Sequence, residues 1–315
     1  MKRYSLEQHE KSPWAQQLWL AEAKAGKTTW LIAQALGVWP GQAHGGIVTH
    51  PSHLHIVTLD VQAIRGVLNF LGRWAPKEIG KVDVWDLEDD ARSAASRAED
   101  WDFGMYNALL STYARIHAMK KPGEVHVLVT SSLTGAATAL QRSLFGRPGA
   151  GEKKGAGGDM AKNDALNQQL AELRHNAQLE GLHCWWEGHV TKRATKGQNG
   201  QVAEETDSIG LRGQTGQTFA FNVGQVFRIR RFPGQREAQA SAPCDKVTID
   251  TKPSLSFFQG RDFHQLAPFE SDVGVIYKKL GYAVGGWKAS VAASPKPPAA
   301  KAPAAPSSPK PTTKP

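Results

Sequence analysis

Cysteine is nearly absent from this chain. Its two thiols, Cys184 and Cys244, have neither CxxC nor metal-ligand spacing. That excludes a disulfide scaffold and a thiolate zinc site, and it suits a reducing cytoplasm, the compartment expected here. No apolar run approaches the roughly 18 residues of a membrane span, so no membrane association is expected. The head, MKRYSLEQHEKSPW, has basic residues but no apolar stretch behind them, so it does not read as a secretory signal. Acid is missing from residues 288–315, where Lys288, Lys296, Lys301, Lys310 and Lys314 carry five of the net +9 charges of the 315-residue chain. This Pro/Ala/Lys-rich tail has no apolar periodicity and cannot offset its ordering entropy, so it is expected to be disordered. A solubilising extension or a weak electrostatic tether to nucleic acid would both fit it.

What is present is an alternation of short apolar strands and helical stretches. Strands are expected at 18–21 (LWLA), 54–60 (LHIVTLD), 82–87 (VDVWDL), 125–133 (VHVLVTSSL), 182–190 (LHCWWEGHV), 223–231 (VGQVFRIRR) and 246–251 (KVTIDT). Helices are expected over about 91–119 and 165–181. Strands alternating with helices predict an α/β fold with a mainly parallel sheet, and the last two strands could pair as an antiparallel edge hairpin. One domain over 1–287 is expected, followed by the tail. Two glycine-rich or polar segments, 146–160 and 191–217, read as mobile loops.

The stretch LAEAKAGKTTWLI ends in Gly-Lys-Thr-Thr and enters an apolar helix directly after a strand. That is the context of a phosphate-binding loop, in which backbone N–H groups and a helix N-terminus surround the phosphates. The expected nucleotide contacts are Ala21, Glu22, Ala23, Lys24, Ala25, Gly26, Lys27, Thr28 and Thr29. Gly26 permits close backbone approach, Lys27 supplies charge to the β- and γ-phosphates, and Thr28 is the Mg²⁺ ligand. Ala21 stands where the pattern G-x-x-x-x-G-K-[ST] asks for glycine. A second glycine-rich stretch, GRPGAGEK at 146–153, has Glu152 at the lysine position and no strand before it, so it is read only as a basic loop.

Hydrolysis also needs an acid near the metal. The strand at 125–133 ends in Thr130, Ser131 and Ser132, with no aspartate; a Ser131 hydroxyl could hold a water in the metal shell but adds no charge.

With AEAKAGKTTW, LDVQ (59–62), VTSSLT (129–134) and WWEGHVTKR (185–193) in this order, residues 15–285 resemble the phage RecA-like NTP-binding proteins that include single-strand annealing recombinases. The resemblance implies a RecA-like P-loop core, ATP and Mg²⁺ as cofactors, and an ATPase of DNA recombination in a phage-infected bacterial cytoplasm. It implies homo-oligomers acting on single-stranded DNA. It also implies hydrolytic roles for Asp60 and Gln62, which stand at the family's D-x-E, and a γ-phosphate sensor at His189. A histidine after a strand also fits a packing role. Gln62, Ser131 and Ala21 depart from the family, so phosphate grip is kept while carboxylates are thinned and slow turnover is expected. Asp60 could fill the metal-shell role.

Other residues admit two readings. Trp185 and Trp186 point to opposite faces of one strand and are expected to pack the core rather than stack on bases. Arg228 and Arg230 share a strand face, either as a charged edge or as nucleic-acid contacts; Lys153 and Lys154 in the basic loop are expected to touch DNA. The rival to the recombination reading is an adaptor that binds nucleotide without turnover, with ATP controlling oligomer state or a partner contact. A small-metabolite kinase would need a substrate-binding acid that the sequence does not offer.

Overall fold

The computed structural model describes residues 14–284 except 41, 43–44, 49–52, 88–97, 122, 146–155, 178–181, 197–201, 212–217, 221, 237–244, 256–257 and 260–263. Lys153, Lys154, Cys244 and the tail at 288–315 lie outside the described residues.

Six parallel strands form the body of the main sheet: β1 (Gln16–Ala21), β2 (Leu54–Thr58), β3 (Val82–Asp86), β4 (His126–Thr130), β5 (Leu182–Lys196) and β7 (Gln225–Arg236). β8 (Asp245–Asp250) pairs antiparallel with β7, and β11 (Phe269–Glu270) antiparallel with β8. The order across the sheet is β3-β2-β4-β5-β1-β7-β8-β11, with β6 (Val202–Ile209) paired to β5. β9 (Ser254–Leu255) and β10 (Phe258–Gln259) form a separate small ribbon. The α/β class, the parallel body and the antiparallel edge hairpin expected from the sequence are all present.

Helices cover both faces, so a central strand such as β1 runs apolar over consecutive positions, Leu18 to Ala21. Leu18 and Leu20 belong to the core cluster of α3 (Ala98–Met119), α4 (Leu133–Phe145) and α5 (Ala156–Ala177). Trp19 and Ala21 belong to the opposite cluster, of α1 (Lys27–Leu36), α2 (Val61–Trp74) and α6 (Val273–Leu280). The two neighbouring tryptophans of β5 divide in the same way, Trp186 into the first cluster and Trp185 into the second, both fully buried. Packing is their role. Trp185 donates its indole N–H to the Tyr277 hydroxyl at 2.9 Å.

The structure differs from the sequence expectation at 191–217. β5 runs on to Lys196 and β6 returns beside it. The ribbon is built from cross-strand polar pairs rather than apolar alternation: Lys192 faces Asp207, with Nζ 2.9 Å from Oδ1. Such pairs stabilise a sheet by about 0.2–1 kcal/mol each and carry no hydrophobic signature. The start of α5 likewise takes over residues 156–160, which were expected in a loop.

His183 joins the two ends of the described chain. Its Nδ1 accepts from the Ala15 N–H at 2.9 Å, and its Nε2–H donates to the Ala283 carbonyl at 2.8 Å. Both ring nitrogens are used by the neutral form, and burial pushes the pKa from 6.5 down to about 3. Between these values the unfolded chain binds a proton that the folded chain refuses. This contribution to stability is therefore present above pH 6.5 and is lost as pH falls toward 3. Thermal melts across that window should show a steeper acid loss for wild type than for His183→Gln, whose amide can keep one donor and one acceptor. Equal slopes would remove His183 from the acid response.

Candidate functional site

β1 delivers the chain to the C-terminal edge of the parallel strands, and α1 starts five residues later, after Glu22–Gly26. The turn closes with Ala25 N–H donating to the Glu22 carbonyl at 3.3 Å, and Trp30 N–H reaches the Gly26 carbonyl at 3.0 Å. Gly26 has φ +77°, the left-handed region that favours glycine, and Lys24, at φ 61°, shares it. No side chain caps α1, so the N–H groups of its first turn face the loop. Ala21 is still inside β1, fully buried and paired with His189, and does not have positive φ. The position needs no glycine freedom, which is why alanine serves.

A carboxylate that the sequence reading did not single out stands on β5 beside the loop. Glu187 is paired with Trp19, so its side chain lies on the sheet face that α1 covers. It is 1% exposed, and its Oε2 accepts from Lys27 Nζ at 3.2 Å and from Thr28 Oγ1 at 2.8 Å. Ser131 Oγ reaches the same oxygen at 3.5 Å. Glu187 Oε1 is buried with no hydrogen-bond partner. A buried carboxylate is tolerable only when paired, so a lone glutamate inside LHCWWEGHV was itself a usable signal.

His189 lies two residues further along the same face. Its ring is half-buried, and Nδ1 has no partner. Burial first, and then the Lys27 charge, lower its pKa, with Glu187 opposing; the imidazole is held neutral beside the loop. Asp60 is exposed and follows β2, which is separated from β1 by β4 and β5; Gln62 is in the first turn of α2. Thus Lys27, Thr28, Ser131 and His189 gather around Glu187, while Asp60 makes none of the contacts described for it.

β7 brings arginines to both sides of the loop. Arg228 is buried, paired with Asp207 and 3.5 Å from Glu22 Oε1. Arg230 Nη2 is 2.8 Å from Asp250, and Arg231 Nε is 2.6 Å from Asp245. Arg228 and Arg230 do share a face, but each is already matched to a carboxylate. Next to Gly26 a cavity of about 250 Å³ opens, lined among others by Thr29, Trp39, Phe70, Arg231 and Asp245.

No family model matches the chain, and no curated protein matches it in sequence. Among solved structures it is similar to the ATPase described as prototypical of the type III secretion system of pathogenic bacteria, with TM-score 0.39 and 13% identity over 69% of this chain. The alignment spans 51% of that ATPase, about half its length. Likeness at this level is not evidence of shared activity. Among the described residues, no helix is long and apolar enough to cross a membrane.

Proposed function

We propose that the chain binds a nucleoside triphosphate, ATP, with Mg²⁺ at the β1–α1 loop and hydrolyses it slowly, with Glu187 as the carboxylate of the metal shell. The observation that carries this reading is the convergence of Lys27 and Thr28 on one oxygen of Glu187 while the other oxygen is buried without a partner. An orphaned carboxylate oxygen beside a threonine hydroxyl is a hard, anionic donor set of the kind Mg²⁺ takes.

The loop N–H groups and the α1 N-terminus would hold the phosphates, and Lys27 would exchange Glu187 for the β- and γ-oxygens. Glu187, released from Lys27, would turn to Thr28 and the metal shell, with Ser131 holding a shell water. Mg²⁺, when bound, would neutralise charge on the transferring phosphoryl group. His189, neutral and unpartnered at Nδ1, would contact the γ-phosphate or orient a water. The base has room in the cavity lined by Trp39 and Phe70. ATP should therefore bind much more tightly than inorganic tripolyphosphate; equal affinity would remove the base from that cavity. Phosphate release by the purified chain, with and without Mg²⁺, tests the hydrolysis: Mg²⁺-dependent turnover is expected, and binding without any turnover would instead make the chain a nucleotide-dependent adaptor.

A role in recombination on single-stranded DNA extends this proposal. It rests on the net charge of +9 and on the resemblance of the ordered motifs. Phosphate-backbone binding of this kind is sequence-tolerant and weakens steeply with salt. Fluorescence anisotropy with a labelled oligonucleotide across a salt series should show that slope. No binding at low salt would leave nucleotide chemistry without a DNA partner.

A further inference from the structure

At the other edge of the sheet, where β2 and β4 begin, four titratable groups converge that the nucleotide reading does not use. His53 precedes β2, and its carbonyl accepts from Val127 N–H at 2.9 Å, which fixes the start of β2 against β4. His126 opens β4, and Glu124 lies two residues before it in a turn closed by Lys121 N–H on Glu124 Oε2 at 2.9 Å. His126 Nε2 is 3.2 Å from Glu124 Oε2, and His53 Nε2 is 4.0 Å from that same oxygen. One ligand atom from each of His53, Glu124 and His126 lies within 4.8 Å of the others.

We propose that His53, Glu124 and His126 form a binding site for one divalent transition-metal cation of the zinc type. With metal–ligand bonds of about 2.0–2.2 Å, the donor atoms of a tetrahedral site stand about 3.3 Å apart. One pair already meets that spacing; the His53 ring, stacked on that of His126 with centroids 4.1 Å apart, would have to turn for its Nε2 to face the same cation. Two imidazoles and one carboxylate select zinc-like cations over Mg²⁺ or Ca²⁺, which prefer all-oxygen shells. The side chain of His126 is 3% exposed, that of His53 11% and that of Glu124 30%, so the set is open on the Glu124 side for entry and for a fourth, solvent ligand.

The surroundings match the outer support of such sites. His126 Nδ1 is 2.9 Å from His55 Nε2, which leaves Nε2 as the ligating atom. His55 is fully buried, and its Nδ1 is 3.8 Å from Asp83 Oδ2 on β3. A cation on His126 Nε2 would place that ring's proton on Nδ1, toward His55 Nε2; the His55 proton would then move to Nδ1, which in this structure accepts from the Trp85 indole N–H at 3.4 Å. The His55 contact at Nδ1 fixes the orientation of the His126 ring from the side away from the cation. Burial holds both His126 and His55 as neutral rings. The site ties the N-terminal ends of β2 and β4 together, whereas the phosphate loop leaves the C-terminal end of β1. Its role is a structural clamp rather than a part of the nucleotide chemistry.

The test uses the full chain, stripped with chelator and titrated with zinc chloride while Mg²⁺ is in excess. Bound zinc is measured after gel filtration, with Co²⁺ absorption as the report on geometry. Wild type should retain one zinc per chain, give tetrahedral Co²⁺ bands and melt several degrees higher with zinc. His53→Ala and Glu124→Gln should each lose at least about tenfold in zinc affinity. His175→Ala, at an exposed helix position, should bind zinc as wild type does. Should His53→Ala fail to fold, the more exposed Glu124→Gln decides alone. Absence of stoichiometric zinc in wild type, or zinc affinity unchanged in Glu124→Gln, would overturn the site.

Discussion

Glu187→Gln is expected to lower Mg²⁺-dependent ATP turnover by about 10²–10³-fold, the range seen when a single charge-stabilising group is removed from a transition state. The amide keeps the size of the side chain and can still meet Thr28 Oγ1, now 2.8 Å from the carboxylate. What it lacks is the negative charge that a metal shell requires. ATP affinity measured without metal should be unchanged or slightly higher, because Lys27 no longer has to leave an anionic partner. Steady-state phosphate release and metal-free calorimetry separate these two effects. Ser131→Ala should matter far less, since its 3.5 Å approach to Glu187 is at the limit of a hydrogen bond. Turnover reduced equally by Ser131→Ala and Glu187→Gln would place the acid role elsewhere.

Lys27→Met is expected to have two consequences. It should abolish ATP binding, since the loop's other lysine, Lys24, is exposed and Lys27 alone lies at the N-terminus of α1. It should also destabilise the nucleotide-free protein by about 3–5 kcal/mol, because removing one member of a buried ion pair leaves the other charge uncompensated. Lys27 and Glu187 side chains are 7% and 1% exposed, so solvent does little to screen them. Adding Glu187→Gln to Lys27→Met should recover most of the stability but none of the binding. Denaturant unfolding of the wild type, both single variants and the double variant gives the coupling directly. A Lys27→Met protein as stable as wild type would show that the pair is not maintained in solution.

The strand–loop–helix unit at residues 16–36 was legible in the sequence because its signal is local. A strand, a Gly-Lys-Thr and an apolar helix lie within about 20 consecutive residues, and backbone geometry follows from that order. Glu187 was not singled out because its contact with Lys27 depends on which strand neighbours β1. The sequence reading looked for an acid at the end of 125–133, but β5, not β4, lies against β1 and brings a mid-strand carboxylate under Lys27. Sheet order is a long-range property with no local mark. The β5–β6 ribbon was missed for a different reason: its sequence, rich in Thr, Lys, Glu and Asp, lacks apolar alternation. Helix α4 follows β4 through Ser132, whose Oγ accepts from the Gly135 N–H at 3.0 Å, a capping signal that the sequence reading did not use. The arginines of β7 were visible as a charge cluster, but their partners Asp207, Asp245 and Asp250 sit elsewhere in the chain, so their neutralisation could be read only from the fold.

The central claim, a nucleotide site whose metal acid is Glu187, is tested most directly by calorimetric titration of ATP into wild type and Glu187→Gln, each with Mg²⁺ and with chelator. Wild type is expected to bind ATP more tightly when Mg²⁺ is present, and Glu187→Gln to bind ATP with that enhancement lost. Wild type that does not bind ATP, or an enhancement by Mg²⁺ of the same size in both proteins, would contradict it.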